Sequence, residues 1–240
     1  MEARCLAVLG AAGGIGRALV ARAVLDGWEV IALDLPASLS AHPPPVEARE
    51  VDVTDPASVA AAFDGLGPLD GFVNLAGFMT PLAPLSDVSV GTFDEAITGN
   101  LRGAFLACQT AAPLLRARGG AMVNIVSGLA AFTRPGFGPY AAAKAGMVSL
   151  TKTLALELSP DVRVNAVGPS ALDTAFLRGG EGRAEADKVP MDFDAMAAAT
   201  PLKRMASPDD VVGPTMFLLG PDAAFMTGQV LWLNGGSYMP

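Results

Sequence analysis

Histidine occurs once in the 240 residues, at His42, and cysteine only twice, at Cys5 and Cys108. A catalytic zinc site draws most of its ligands from those two side chains, so no metal centre is expected. Cys5 and Cys108 fall in apolar stretches that read as a strand and a helix. That placement marks them as buried thiols rather than a disulfide, in keeping with a reducing cytoplasm. Charge is also sparse, at 17% of residues, and the net formal charge is −8 with no cluster of Lys or Arg. Nucleic acid and anionic membrane surfaces are excluded as partners, since binding phosphates requires clustered cations. Gly, Asn, Ser or a charge interrupts every apolar run well before about 18 residues, so no transmembrane helix is expected. The stretch Met1–Leu9 lacks the basic start and cleavage pattern of a signal peptide.

What is present is an apolar chain, 51% hydrophobic, suited to a large core with parallel strands buried on both faces. Strand-like runs lie at Cys5–Leu9, Glu29–Leu33, Ala48–Val51, Gly71–Asn74, Ala121–Val126, Val162–Val167 and Val230–Leu233. Between most of them lie helix-like stretches: Ile15–Asp26, Pro56–Phe63, Phe93–Arg116, Pro139–Leu158 and Pro208–Leu219. The alternation predicts an α/β fold, a doubly wound Rossmann-like parallel sheet of about seven strands with helices on both faces. One domain spanning 1–240 accommodates it. Asp55 before Pro56, Ser207 before Pro208, and Thr92 with Glu95 three residues on read as helix caps. Pro36–Pro45 reads as a surface loop. Residues 175–205 break the rhythm, with Met191, Phe193 and Met196 at helical spacing, and form a candidate substrate lid.

The segment Gly10-Ala11-Ala12-Gly13-Gly14-Ile15-Gly16 joins the first strand to the first helix. Glycine there permits a tight turn and a close approach of backbone N–H groups to a pyrophosphate, aided by the helix N-terminus. Its spacing is G-x-x-x-G-x-G rather than G-x-G-x-x-G. Asp34 ends the second strand, followed by Leu35, where a carboxylate can accept from both adenosine ribose hydroxyls. It repels a 2′-phosphate, and no Lys or Arg follows nearby, so NAD is favoured over NADP.

In Tyr140-Ala141-Ala142-Ala143-Lys144 the tyrosine and lysine share one helical face. An ordinary phenol titrates near about 10 and is a poor base at neutrality. A neighbouring ammonium favours the phenolate and is expected to bring that value down. Tyr140 then serves as general acid and base for hydride transfer.

With these residues in place, the sequence resembles the short-chain dehydrogenase/reductase family over nearly its whole length. The resemblance is carried by the glycine turn, Asp52-Val53, Asn74-Leu75-Ala76-Gly77, Asn100, Ser127, Tyr140 with Lys144, Pro169 with Thr174, and Thr227-Gly228-Gln229…Asn234-Gly235-Gly236. It implies that Ser127 holds the substrate oxygen, that Lys144 binds the nicotinamide ribose, and that Asn100, in a helix loosened by Gly99, holds a water leading to solvent. Gly10, Ala12, Gly13, Gly14, Ile15, Gly16, Asp34 and Leu35 would cradle the adenosine half of the cofactor, with Asp52 and Val53 at the adenine. Asn74, Ala76 and Gly77 would line the groove, and Pro169 and Thr174 would meet the carboxamide. Leu9, Leu75 and Ser170 depart from the usual Thr, Asn and Gly. A homotetramer or homodimer is implied, pairing the two long helices and the last strand, with Tyr238-Met239-Pro240 reaching a neighbour's site.

The activity expected is NAD(H)-dependent interconversion of a small, largely apolar secondary alcohol and its ketone. Two alternatives stand beside it. The first is reduction of 3-oxoacyl-acyl carrier protein or oxidation of 3-hydroxyacyl-CoA, which would use Arg134, Arg178, Arg183 and Lys188 as a basic patch. The second is a non-catalytic dinucleotide-binding sensor.

Overall fold

The computed structural model describes residues 3–178 and 192–239. Its framework is one sheet of seven parallel strands: β1 (Arg4–Leu9), β2 (Trp28–Asp34), β3 (Glu47–Glu50), β4 (Gly71–Asn74), β5 (Ala121–Ile125), β6 (Arg163–Pro169) and β7 (Val230–Leu233), in the order β3-β2-β1-β4-β5-β6-β7. The period of two along each strand sends alternate side chains to opposite faces. Leu6, Val8, Val30, Ala32 and Val123 pack under α1 (Gly14–Leu25) and α8 (Pro208–Leu219). Ala7, Leu9, Ile31, Leu33 and Met122 pack under α3 (Pro56–Phe63), α5 (Gly103–Arg116) and α6 (Gly138–Leu158). Both faces are covered, which is why these strands read as unbroken apolar runs.

The chain runs outward from β1 through β2 to β3, then restarts on the other side of β1 at β4. Where the order reverses, the two connecting loops diverge and leave a crevice at the carboxyl ends of the strands. Register aligns those ends: Leu9 pairs with Leu33 and with Asn74, and Asn74 pairs with Asn124.

Three local expectations change. Part of the expected loop Pro36–Pro45 is a short helix, α2 (Pro36–Ala41), because Pro36 occupies the first turn, where a missing N–H costs nothing. The cap of α4 (Val90–Ile97) is Ser89, whose hydroxyl accepts from the Thr92 N–H at 3.1 Å, so Thr92 lies inside the helix it was expected to open. The long helix expected at Phe93–Arg116 is divided by a π-helical turn, Thr98–Arg102. There the Asn100 amide donates to the Ala96 carbonyl at 3.0 Å. The Phe78 ring packs where a side chain on Gly99 would stand. Asp55 acts as expected at its helix start, accepting from the Ala57 N–H at 2.9 Å. Ser207 stands at the cap position expected of it, and the Asp210 carboxylate, which the sequence reading did not single out, accepts from its N–H at 2.7 Å and its hydroxyl at 2.9 Å.

Both cysteines are free. Cys108 is fully buried, and burial pushes its thiol up to about 12. Ellman's reagent at about pH 8 is expected to find at most one reactive thiol in the native chain, because only thiolate reacts. Two fast thiols would contradict the packing of α5.

Candidate active site

A cleft of about 1910 Å³ opens along the carboxyl ends of the strands, from Asp34 and Val53 at one end to Tyr140 and Tyr238 at the other. The glycine turn forms its floor. Gly10 adopts φ +84°, and the Gly10 N–H donates to the Leu33 carbonyl at 2.8 Å. A Cβ on Gly16 would collide with the Gly10 carbonyl oxygen and stand 2.7 Å from the Ala11 Cα, so only glycine lets α1 start this close to β1. A Cβ on Gly13, by contrast, would meet nothing closer than 3.4 Å among the described residues, and its face opens on the cleft. The first turn of α1 carries no acidic residue and no side-chain cap. Its free N–H groups therefore favour an anion. Leu9, which stands where a hydroxyl commonly braces such turns, is buried in the core. Backbone bonds and the Asp34 carboxylate, which accepts from the Ala12 N–H at 2.8 Å, hold the turn instead.

Asp34 also accepts from the Leu35 N–H at 2.8 Å and faces the cleft. Burial raises its pKa, and the hydrogen bonds from Ala12, Leu35, Ser38 and Gly13 pull it back. Ser38 lies in α2, so the helix missed by sequence reasoning helps hold this carboxylate.

At the far end, Ser127 ends the connection from β5, and its oxygen accepts from the Leu129 N–H at 3.2 Å, which fixes its direction. Tyr140 and Lys144 lie on one buried face of α6. The Lys144 Nζ lies 5.7 Å from the Tyr140 ring centroid and donates to the Ile125 carbonyl at 3.1 Å. The electrostatics differ from the sequence expectation. Burial holds the Tyr140 phenol well above its ordinary value, with the hydrogen bond from Ser127 pulling the other way. Burial also draws Lys144 down to about 8. Both groups pay for leaving water, and at this separation desolvation outweighs the attraction expected from helical spacing alone.

Gly10, Gly13, Gly14, Ile15, Gly16, Asp34, Leu35, Asp52, Val53, Ala76, Gly77, Pro169 and Thr174 line the cleft with Ser127, Tyr140 and Lys144. Ala12, Asn74 and Asn100 do not; they stand behind its wall. Ala12 holds Asp34. Asn74 accepts from the Ala76 N–H at 3.1 Å and faces Asn124 at 3.4 Å, so it braces the sheet and the following turn. Asn100 spends its amide on backbone: Oδ1 accepts from the Phe78 N–H at 3.0 Å, and Nδ2 donates to the Ala96 and Phe78 carbonyls. A Cβ on Gly77 would stand 2.5 Å from Asn100 Oδ1 and 3.3 Å from Lys144 Nζ, so the missing side chain lets these groups share one wall.

From the region expected as a lid, Ala175–Arg178 forms a 3₁₀ turn and Phe193–Ala199 forms α7, capped by Asp192. Phe176, Leu177 and Met196 line the cleft. Met191, Arg183 and Lys188 lie outside the described residues. Of the C-terminal residues expected to reach a neighbour's site, Tyr238 lines the cleft of its own chain. Nothing in its spacing signals this, since the tail's direction is set by β7. Among the described residues, no helix is long and apolar enough to cross a membrane.

A family model described as enoyl-(acyl carrier protein) reductase matches residues 10–238. The chain is 36% identical to an uncharacterized short-chain type dehydrogenase/reductase from Sinorhizobium fredii over 97% of its own length, although it spans only 43% of that relative. It is 33% identical to carbonyl reductase [NADPH] 2 from Sus scrofa, covering 95% of this chain and 94% of that one. The solved 3-ketoacyl-(acyl-carrier-protein) reductase from Brucella melitensis, complexed with NADH, superposes with a TM-score of 0.85 at 26% identity, covering 99% of both chains. The resemblance read from the motifs thus extends to whole-chain similarity and to the sheet that carries them. This chain belongs to the short-chain dehydrogenase/reductase family, oxidoreductases that bind a nicotinamide dinucleotide and act on CH–OH and carbonyl groups.

Proposed function

We propose that the protein is an NAD(H)-dependent oxidoreductase that interconverts a small secondary alcohol and its ketone, with Tyr140 as general acid and base. The observation that carries this reading is the convergence of Ser127, Tyr140 and Lys144 on one wall of the cleft whose opposite end holds Asp34. The glycine floor and the uncapped start of α1 fit a pyrophosphate, and the cofactor supplies or accepts the hydride. One relative is named for NADPH and another was solved with NADH, so the preference rests on this chain's own Asp34. A carboxylate there repels a 2′-phosphate and accepts from ribose hydroxyls. NADH is expected to exceed NADPH in kcat/KM by at least about tenfold, and Asp34→Asn, which keeps the shape and removes the charge, is expected to narrow that ratio. A wild-type preference for NADPH sinks this assignment.

Ser127 and Tyr140 are placed to share the substrate oxygen. In reduction, the neutral Tyr140 phenol donates its proton to that oxygen; in oxidation, the phenolate takes it back. Burial favours the neutral form, so the site is set to give a proton more readily than to take one. Lys144 binds the ribose and keeps its charge below a pH of about 8. Reductive kcat/KM is expected to stay level from about pH 6 to 7.5 and to fall as the pH rises through about 8, where the ammonium loses its proton. A profile that stays flat well beyond that point removes the Lys144 charge from the relay.

The cleft wall of Leu129, Phe132, Phe137, Phe176 and Met196 favours an apolar substrate. An NADH-linked screen of ketones against acetoacetyl-CoA tests this, and a thioester turned over faster than any ketone favours the 3-oxoacyl alternative. The exposed side chains Phe105 on α5, Leu156 on α6 and Phe225 before β7 support a homotetramer or homodimer, readable by sedimentation.

A further inference from the structure

The face that α6 buries is a stripe of mostly small and apolar side chains, with Ala141, Ala143, Met147 and Ala155 among them. The polar side chains on it are Tyr140, Lys144 and Thr151. The first two belong to the relay proposed above. Thr151 stands two helical turns beyond Lys144 and has no place in that relay. Its side chain is fully buried. The hydroxyl donates to the Met147 carbonyl at 2.8 Å and accepts from the Asn124 amide at 3.0 Å. Asn124, itself buried on β5, directly precedes Ile125, whose carbonyl accepts from the Lys144 ammonium at 3.1 Å. Lys144 and Thr151 thus bond to neighbouring residues of one strand. The Asn124 oxygen is held from the other side: it accepts from the Cys108 thiol of α5 at 3.3 Å and from the Asn74 amide of β4 at 3.4 Å.

Apolar burial has no direction, and side chains as small as alanine offer little resistance to a helix sliding along a sheet. A hydrogen bond between buried groups is directional and costly to leave unmade, so it selects one register. From these contacts, and resting on the function proposed above, we infer that Asn124 is a positioning residue: through Thr151 it fixes α6 on β5 at the register where Lys144 meets Ile125 and the cleft. Neither Asn124 nor Thr151 lines the cleft, so any effect of theirs on the reaction passes through α6. A displacement of about 1 Å is enough to cost a positioned group much of its effect.

The test reads NADH affinity by fluorescence, and kcat at saturating NADH with the ketone that the parent chain turns over fastest in the screen above. Thr151→Val keeps the shape, removes the hydroxyl and releases α6 from Asn124. It is expected to weaken NADH binding about fivefold or more and to lower kcat about tenfold or more, since Lys144 serves both. Thr151→Ser keeps the hydroxyl and is expected to hold both values within about twofold of the parent, even with a lower Tm. Cys108→Ala is the control: it opens a small cavity beside the same Asn124 oxygen, so Tm falls while affinity and kcat hold. Where Thr151→Val does not fold, Asn124→Ser, too short to reach Thr151, is read against the same control. A lowered Tm in Thr151→Val with affinity and kcat unmoved overturns the inference and leaves the proposed function standing. Equal kinetic losses in Thr151→Ser or in Cys108→Ala do the same. A parent chain that turns over no ketone overturns the proposed function, and the inference falls with it.

Discussion

Tyr140→Phe is expected to bind NADH as the parent chain does and to turn over at least about 100-fold more slowly, the usual worth of a positioned proton donor. The ring is buried against α6 and packs near Phe176 at 5.9 Å, so removing one oxygen leaves the fold and the cofactor floor intact. What is lost is the proton that must reach the substrate oxygen as hydride arrives at carbon. Ser127 remains, but its oxygen is held by the Leu129 N–H, and a hydroxyl of ordinary acidity cannot replace the phenol. NADH titration by fluorescence separates the two effects. Unaltered binding with lost turnover supports the role, whereas near-normal turnover removes Tyr140 from it.

The second large effect is expected at Gly16→Ala, a change of one methyl group. That methyl would collide with the Gly10 carbonyl oxygen and the Ala11 backbone, neither of which can rotate away as a side chain can. Relief requires α1 to move off β1, and the overpacking is expected to cost roughly 1–3 kcal/mol of stability. The same shift carries the first-turn N–H groups away from the position of a pyrophosphate. NADH affinity is therefore expected to fall by more than about tenfold, beyond what the stability loss explains. Urea denaturation and NADH titration on the same preparation read both. Normal stability with normal affinity would falsify the close approach of helix and strand. Gly13→Ala is the control: its methyl would meet nothing closer than 3.4 Å among the described residues, so stability should hold.

How far the sequence could be read follows from the range of each interaction. The inner strands were legible because burial on both faces writes apolar runs that local reading detects, and β4 (Gly71–Asn74) coincides with its expected bounds, whereas the exposed edge strand β3 (Glu47–Glu50) starts one residue before the expected Ala48–Val51. Asp55 was legible for the same reason, since its cap acts two residues away. Thr92 failed because a second hydroxyl, Ser89, stands one turn earlier, and pattern alone does not choose between them. The helix break at Thr98–Arg102 carried only a hint in Gly99; its cause is Phe78, which sits 22 residues from the Asn100 it bonds. Asn74 and Asn100 carry roles implied only by the family resemblance, at the groove and on the proton path. The fold bonds their amides to backbone and sheet, because buried amides must be satisfied wherever partners are nearest, and spacing does not show which partners those are.

By itself the sequence determined the family, the parallel α/β sheet and many of the residues that line the cleft, because each of these is written in motifs whose parts lie within a turn or a strand of one another. Only the tertiary structure decided the electrostatic balance of Tyr140 and Lys144 and the position of Tyr238. Those depend on how much water the packed elements exclude and on which surfaces a chain turning back from β7 meets, and neither burial nor a long-range contact leaves a local spacing to read.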